Sequence, residues 1–276
     1  MEPQHSQGAM ICVVLDDFGL DTGVNFAAHR LADLGRLQAV GALVGAPAWR
    51  RGTGLLRRLD AEGLDIGLHL DLTEAPLLRM SRRPLSSLVA LAYSNRLDRH
   101  VLQYEIDAQL DAFETELGHP PAFVDGHQHV HQLPVVRDAL NAELTERYGS
   151  ALPWLRSTRG PGRSLKARVI GALGARGLEA LARKAGAPQN RRLLGVYDFR
   201  GGAARYRQLL ASWLDEAQDG DLLMCHAGLP VSQADPLHDA RQAEYAVLAD
   251  PSFERMIESR RITLRPMSRI LARGNP

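Results

Sequence analysis

Three histidines and an aspartate alternate along the segment 124–131, whose sequence is VDGHQHVH: Asp125, His127, His129 and His131. Imidazole nitrogens and carboxylate oxygens are ligands that zinc-type divalent ions take in proteins. In an extended backbone, alternate side chains lie on one face, so these four would converge on one point. The pattern favours a metal or catalytic site over the ordinary alternative, a polar loop with locally hydrogen-bonded histidines. Such a site needs further ligands from elsewhere in the chain.

Residues of the same chemistry stand at the ends of three other apolar runs: Asp16 with Asp17, then His69, then His226. Two adjacent carboxylates that leave an apolar strand repel each other unless a cation offsets their charge. A helix cap explains one aspartate and accounts less well for the pair. His69 alone would be read as a core histidine. The recurrence at four strand ends is what indicates a common site.

Strand-like and helix-like segments alternate along the whole chain. We predict strands at 11–15, 37–44, 64–70, 122–125, 151–156, 193–199, 221–225 and 262–264. We predict helices at 24–34, 49–61, 100–117, 135–148, 165–185, 203–216, 237–248 and 251–260. The alternation predicts an α/β fold, a single distorted (β/α) TIM-like barrel with parallel strands, and a doubly wound open sheet is the alternative. In a barrel, catalytic groups lie at the C-terminal ends of the strands.

The predicted barrel occupies residues 1–276 as one domain, with a polar N-terminal tail at 1–9 and an irregular excursion at 73–99 that we expect near the active face. The apolar run at 11–15 is too short for a secretory signal or a membrane span, which predicts a cytoplasmic protein. A net charge of +1 gives no basic field for nucleic acid. Cys12 and Cys225 lie in apolar runs and are predicted to be small core residues.

Four motifs carry a family resemblance: LDDFGL at the first strand, IGLHLDLT around His69, FVDGHQHVHQLP at the histidine cluster and LLMCHAG at His226. They resemble the YdjC-like carbohydrate deacetylases, a family that includes chitooligosaccharide deacetylases and hopanoid-associated deacetylases. The motifs occur in the family's order and span about residues 11 to 265. The resemblance implies a distorted (β/α) barrel that binds one divalent metal ion, Mg²⁺ or Zn²⁺, and removes acetyl groups from an N-acetylated sugar, oligosaccharide or glycolipid.

The resemblance also implies roles for individual residues. The metal ligands would be Asp17, His69 and His127, the general base Asp16 and the general acid His226. The spacing of the clustered histidines does not show which of them binds the ion, so the assignment to His127 rests on the resemblance alone.

These roles agree with the chemistry of amide hydrolysis. Two imidazoles and one carboxylate leave coordination positions open for water and substrate. A second carboxylate accepts the proton of the attacking water, and a histidine protonates the amine that leaves. The remaining polar residues of these strand ends are then expected to contact substrate or to orient the ligands. They are Asp125, His129, His131 and Arg156, the last of which is equally well read as a surface arginine.

The segment 156–192 contains ten lysines and arginines but one acidic residue, Glu179. Such a run is usually a solvated helix face, and a peripheral membrane contact or a phosphorylated substrate is the alternative. The sequence leaves open whether the chain forms a homodimer. Three charged residues of the following helical stretch are interpreted as surface ion pairs: Asp235, Arg241 and Glu244.

Two rival functions use the same ligands. A non-haem iron oxygenase also holds its metal with two histidines and a carboxylate, but usually on antiparallel strands. A non-catalytic metal-binding protein would have no need for Asp16 and His226. Their presence favours the hydrolase.

Overall fold

The computed structural model describes residues 8–161, 165–230 and 235–274. Their strands are β1 (Met10–Phe18), β2 (Ala39–Ala42), β3 (Asp65–Leu70), β4 (Phe123–Gly126), β5 (Trp154–Leu155), β6 (Leu193–Leu194), β7 (Asp221–Cys225) and β8 (Thr263–Leu264). Their helices are α1 (Thr22–Asp33), α2 (Trp49–Ala61), α3 (Leu85–Tyr93), α4 (Arg99–Leu117), α5 (Val136–Tyr148), α6 (Leu165–Ala172), α7 (Ala175–Ala185), α8 (Gly202–Asp215), α9 (His238–Ala249), α10 (Pro251–Ser259) and α11 (Met267–Leu271).

The strands form one curled sheet in the order β5-β4-β3-β2-β1-β7-β6, and β8 pairs with the beginning of β1. Every strand pair among the described residues is parallel. Leu155 of β5 forms a parallel bridge with Gln189, which lies shortly before β6. The two ends of the sheet therefore approach each other. This confirms the predicted distorted barrel and removes the antiparallel arrangement expected for an oxygenase.

Alternate residues of the strands pack on opposite sides of the sheet. An interior cluster contains Cys12, Val14, Phe123, Trp154 and Met224. The intervening residues of β1 pack against the surrounding helices in a separate, larger cluster. The rings of Phe123 and Trp154 stack with their centroids 4.3 Å apart. The barrel is therefore filled with side chains below the level of its C-terminal rim.

Several predicted elements are shorter than expected. The strand predicted at 193–199 ends after Leu194 because Gly195 has φ +92°, and a Cβ at that position would lie 2.1 Å from the carbonyl oxygen of Met224. The helix predicted at 165–185 is two helices, α6 and α7, separated at Gly174, whose φ is +143°. Glycine backbone conformations that other residues rarely adopt set both limits.

The predicted excursion at 73–99 has regular structure of its own. It contains a 3₁₀ turn, Arg79–Ser81, and the helix α3. The prediction of irregular structure is therefore wrong for Leu85–Tyr93, which is helical. The apolar residues of α3 do not form the wide stripe of an ordinary core-facing helix, because only Leu88 and Ala92 are buried.

The histidine segment is not an extended strand. β4 ends at Gly126, and His127–Gln132 is a 3₁₀ turn in which Gln128 and His129 have left-handed backbones, with φ 53° and 60°. The turn folds back so closely that a Cβ on Gly126 would lie 2.8 Å from the amide nitrogen of His131. The prediction that the four alternating side chains share one face is therefore wrong.

No helix within the described ranges is both long enough and apolar enough to cross a membrane. Most of the predicted tail at 1–9 and residues 162–164 of the basic segment lie outside the described residues. Within that segment Arg156 is fully buried, and Arg192 pairs with Asp221. These two arginines are thus not available to a membrane surface.

Candidate active site

Five polar side chains form a layer on top of the apolar interior of the barrel. Each lies two residues after a residue that belongs to the barrel interior. Because side chains of a strand alternate between the two faces of the sheet, residues two positions apart lie on the same face. The five are Asp16, His69, Asp125, Arg156 and His226. The interior positions before them are Val14, Gly67, Phe123, Trp154 and Met224. The sequence thus builds one polar layer from the C-terminal ends of five strands.

Asp17 joins this layer through a local irregularity. In a regular strand it would point away from Asp16, towards the helices. Its φ is +66°, however, and the pairing of β1 with β2 shifts register between Leu15 and Phe18. Such a bulge re-aims a side chain, and left-handed backbone at a non-glycine residue costs on the order of 1–3 kcal/mol. As a result both adjacent carboxylates line the same cavity.

The two oxygens of Asp17 have different partners. Oδ1 lies 2.9 Å from Nδ1 of His127 and 3.4 Å from Nε2 of His69. Oδ2 accepts a hydrogen bond from Nη2 of Arg241 at 2.8 Å. Burial raises the pKa of Asp17, but Arg241 and His127 together hold that pKa well below its ordinary value. Asp17 is therefore ionised and presents one oxygen to the two imidazoles.

These three residues fit a divalent ion. One atom from each of Asp17, His69 and His127 lies within 4.8 Å of the others. Bonds of about 2.0–2.2 Å to one ion separate its ligand atoms by roughly 3–3.5 Å, which matches the spacing around Oδ1. A second group of the same kind is Asp16, His69 and Asp125. Both of its carboxylates pair with Arg156, so it is the poorer candidate.

Asp125 orients His69. Nδ1 of His69 and Oδ1 of Asp125 are 2.6 Å apart, which directs Nε2 towards Asp17. Burial lowers the pKa of His69, but Asp125 and Asp16 raise it to about 10. Burial raises the pKa of Asp125, but Arg156 and His69 lower it to about 2. An ion that binds Nε2 therefore displaces a proton.

Arg156 binds Asp16. Its two terminal nitrogens donate to the two oxygens of Asp16, each at 2.6 Å, and Nη2 also pairs with Asp125. The side chain of Arg156 is 0% exposed, so its interpretation as a surface arginine was wrong. A bidentate guanidinium fixes the plane of the carboxylate as well as its position.

His226 lies at the end of β7, the strand next to β1, and lines the same cavity. It is half-buried, and its ring centroid is 5.0 Å from that of Phe199. Its amide N–H donates to Glu244 at 2.6 Å, and its carbonyl accepts from Arg241 at 3.2 Å. Burial lowers the pKa of the imidazole to about 4, although Asp17 and Asp16 favour its charged form. In this protein it is a neutral imidazole at pH 7.

The helix α9 supplies residues that sequence reasoning missed. Arg241 and Glu244 were interpreted as surface ion-pairing residues, but both are buried, and only Asp235 is partly exposed. Arg241 donates to Asp235 at 2.5 Å as well as to Asp17. A signal was available: 237, 241, 244 and 248 have the spacing of a buried helix face, with leucine at its two ends.

The other predicted residues have separate locations. Nε2 of His131 donates to the carbonyl oxygen of Arg156 at 2.9 Å, so His131 supports the end of β5. His129 lines the cavity, and its Nδ1 has no hydrogen-bond partner among the described residues. Glu74, which sequence reasoning also missed, lies 3.4 Å from Nε2 of His127. Nothing in its local sequence distinguishes it from a surface glutamate.

The proposed metal ligands, the second aspartate and His226 open onto one cavity of about 1120 Å³. Its polar end is formed by Asp16, Asp17, His69, His127 and His226. Tyr197 and Phe199 line the neighbouring wall, with ring centroids 4.9 Å apart. The arrangement combines a candidate metal group, a separate carboxylate and an imidazole around a space that is large enough for a ligand.

The fold and the site together define a class of protein: an α/β barrel with a buried group of carboxylates and imidazoles at the C-terminal ends of its strands. Residues 10–259 match the sequence pattern of the YdjC-like protein family, and the chain therefore belongs to that family.

Curated relatives include a chitooligosaccharide deacetylase from Enterobacter sp. (strain 638), 30% identical over 156 residues, which are 52% of this chain and 58% of that protein. A carbohydrate deacetylase from Homo sapiens is 30% identical over 165 residues, which are 55% of this chain and 50% of that protein. The chain spans about half the length of the curated relatives it matches.

Two solved structures show the same fold. One is described as a proposed cellobiose-phosphate cleavage protein from Enterococcus faecalis V583, with a TM-score of 0.70, 20% identity, and coverage of 96% of this chain and 99% of that one. The other is a family 4 acetyl xylan esterase from Clostridium thermocellum in complex with a cobalt ion, with a TM-score of 0.53, 12% identity, and coverage of 97% and 93%.

Proposed function

We propose that the protein is a metal-dependent hydrolase that removes the acetyl group from an N-acetylated sugar. The names of the relatives, chitooligosaccharide and carbohydrate deacetylases, support the substrate class. The observation that carries the proposal is that two adjacent carboxylates have different partners. Asp17 contacts His69 and His127, whereas Asp16 accepts two hydrogen bonds from Arg156. Two neighbouring aspartates with different partners suit two different tasks.

In this proposal Asp17, His69 and His127 hold one divalent ion, Mg²⁺ or Zn²⁺. When bound, such an ion polarises the amide carbonyl and lowers the pKa of water. Asp125 fixes the orientation of His69. Arg241 donates a hydrogen bond to Oδ2 of Asp17, the oxygen that does not contact the imidazoles.

Asp16 is the proposed general base. Each of its oxygens accepts one hydrogen bond from Arg156 and keeps a lone pair that can take a proton. The guanidinium keeps the carboxylate fixed while the attacking water loses its proton to Asp16.

His226 is the proposed donor of a proton to the nitrogen that leaves. It is neutral at pH 7 in the free protein because burial lowers its pKa to about 4. The negative charge that develops on the substrate oxygen during attack raises the pKa of a nearby imidazole. We propose that at that stage His226 receives, by way of solvent, the proton that Asp16 took from the attacking water, and passes it to the amine nitrogen as the C–N bond breaks.

Release of acetate from N-acetylglucosamine and its oligomers tests the proposal. We expect chelation to abolish release and one equivalent of a divalent ion to restore it. His127→Ala should lose the ion by elemental analysis, whereas the matched variant His129→Ala should keep it. Acetate release that persists in metal-free protein would refute the metal-dependent mechanism. Equal metal content in the two variants would refute the assignment of His127.

A further inference from the structure

The two imidazoles of the candidate metal group have different surroundings. His69 directs Nε2 towards Asp17, while its Nδ1 pairs with the buried carboxylate of Asp125 at 2.6 Å. His127 has the reverse orientation, because its Nδ1 lies 2.9 Å from Oδ1 of Asp17. Its other nitrogen, Nε2, is buried and has no hydrogen-bond partner within the described residues. A histidine that binds an ion ordinarily donates a hydrogen bond from its second nitrogen, and His127 lacks this contact.

Glu74 is placed to supply this contact. Its Oε1 lies 3.4 Å from Nε2 of His127, and the side-chain amide of Gln128 donates to the same oxygen at 3.3 Å. An N–H···O hydrogen bond has a separation of about 2.9 Å between its heavy atoms, so a movement of roughly half an ångström closes the contact. The side chain of Glu74 is 52% exposed and therefore has room for this movement.

The backbone that carries Glu74 is fixed by Asp71, a residue that the proposed chemistry does not use. Its buried carboxylate accepts hydrogen bonds from the amides of Thr73, Glu74 and Ala75, at 2.7, 3.1 and 2.6 Å. The backbone amide and carbonyl of Asp71 are themselves hydrogen-bonded to the side chain of Gln109 on α4. The turn is therefore anchored to the barrel, and Glu74 reaches the cavity from a fixed point.

We propose that Glu74 is a positioning residue for His127: its carboxylate accepts a hydrogen bond from Nε2–H and so leaves the lone pair of Nδ1 for the divalent ion. This inference rests on the proposed function, which assigns His127 as a metal ligand. The hydrogen bond fixes both the tautomer and the plane of the ring. Removal of such an outer partner typically lowers metal affinity about 10–100-fold, and the half-exposed carboxylate predicts the lower value.

The affinity of the metal-free full chain for Zn²⁺, measured by calorimetric titration against a competing chelator, tests the inference with three variants. Glu74→Ala removes the acceptor, and we expect Zn²⁺ to bind about tenfold more weakly than to the wild type. Glu74→Gln keeps a carbonyl oxygen that can accept from Nε2. Because a neutral acceptor forms a hydrogen bond about half as strong, this variant should lie within about threefold of the wild type. Glu254→Ala removes a glutamate that is 56% exposed and pairs with Arg36 but does not line the cavity, and the affinity should be unchanged.

Proton exchange of the ring gives a second readout that does not depend on activity. In zinc-loaded protein with ¹⁵N-labelled histidine, the Nε2–H signal of His127 should exchange with water more slowly in the wild type and in Glu74→Gln than in Glu74→Ala. A general loss of stability would not select this one proton.

An equal loss of zinc affinity in Glu74→Gln and Glu74→Ala would overturn the inference, because the carboxylate would then act on the ion itself. Unchanged affinity in both variants would also overturn it, and a raised KM for acetate release would then indicate a contact with the substrate. Failure of the proposed function is distinguishable. If the variants show the expected order of zinc affinities but no acetate is released, the deacetylase reaction fails and the positioning role stands.

Discussion

The buried arginine of the polar layer offers the sharpest test of how the site is assembled. Arg156→Met keeps most of the side-chain volume but leaves Asp16 and Asp125 buried without their shared cation. Removing one partner of a buried ion pair costs about 3–5 kcal/mol. Because two carboxylates depend on this guanidinium, we expect the loss to lie in the upper part of that range. Urea denaturation of the metal-free protein measures it.

Two further variants isolate the cause. Arg159→Met removes an arginine three residues later that is 58% exposed and pairs with Glu179, and it should cost no more than about 1 kcal/mol. Asp16→Asn combined with Arg156→Met should be more stable than additivity of the single variants predicts, by about 1–3 kcal/mol, because one uncompensated charge has gone. Equal losses for Arg156→Met and Arg159→Met, or strict additivity in the double variant, would show that the pairing does not carry the stability.

Two other residues give independent predictions. Arg241→Gln leaves Oδ2 of Asp17 without its cation, so a divalent ion should bind at least about tenfold more tightly than to the wild type in a calorimetric titration. Binding weaker than in the wild type would mean that Arg241 mainly positions Asp17. Burial raises the pKa of Glu244 from 4.5 to about 7 although its hydrogen bonds to His226 and Tyr197 favour the charged form. Between about pH 4.5 and 7 the folded protein therefore keeps a proton that the unfolded chain has lost, and stability falls by about 3 kcal/mol as the pH rises. Glu244→Gln should flatten this part of the profile of unfolding free energy against pH, and an unchanged slope would contradict the assignment.

The positions of the strands and the site at their ends could be predicted because they follow from local pattern. Apolar runs of four to six residues mark buried strands, and the polar residue that ends each run is visible in the sequence. The periodicity of a strand even accounts for the five-residue polar layer, since each member lies two positions after an interior side chain. The family resemblance then supplied the order of the motifs.

The backbone conformations of the aspartate pair and of the histidine cluster could not be predicted from the sequence. Asp17 faces the cavity only because its backbone is left-handed and β1 bulges there, and the aspartate pair alone does not show this. The histidine cluster looks like an alternating strand, but a 3₁₀ turn begins at His127. In both cases the contacts of the folded site outweigh the local preference for extended backbone.

The role of α9 depends on tertiary contacts that are distant in the sequence. Arg241 and Asp17 are separated by 224 positions and meet only in the folded protein, where α9 packs against α8 and α1. Charged residues in a helix are ordinarily exposed to solvent. The prediction that Arg241 and Glu244 lie at the surface followed from this tendency and was wrong. Their place in a leucine-flanked helical stripe was the one indication that they are buried.

A metal titration of two neighbouring variants tests the division of labour between the adjacent aspartates most directly. Asp17→Asn replaces a proposed ligand with a neutral amide, so the ion should bind weakly or not at all. Asp16→Asn leaves the proposed ligands in place, so the ion should bind as in the wild type while acetate release falls by about 10²–10⁴-fold. Loss of the ion from Asp16→Asn together with its retention by Asp17→Asn would reverse the two roles. Retention by both variants with near-normal activity would contradict the proposed mechanism.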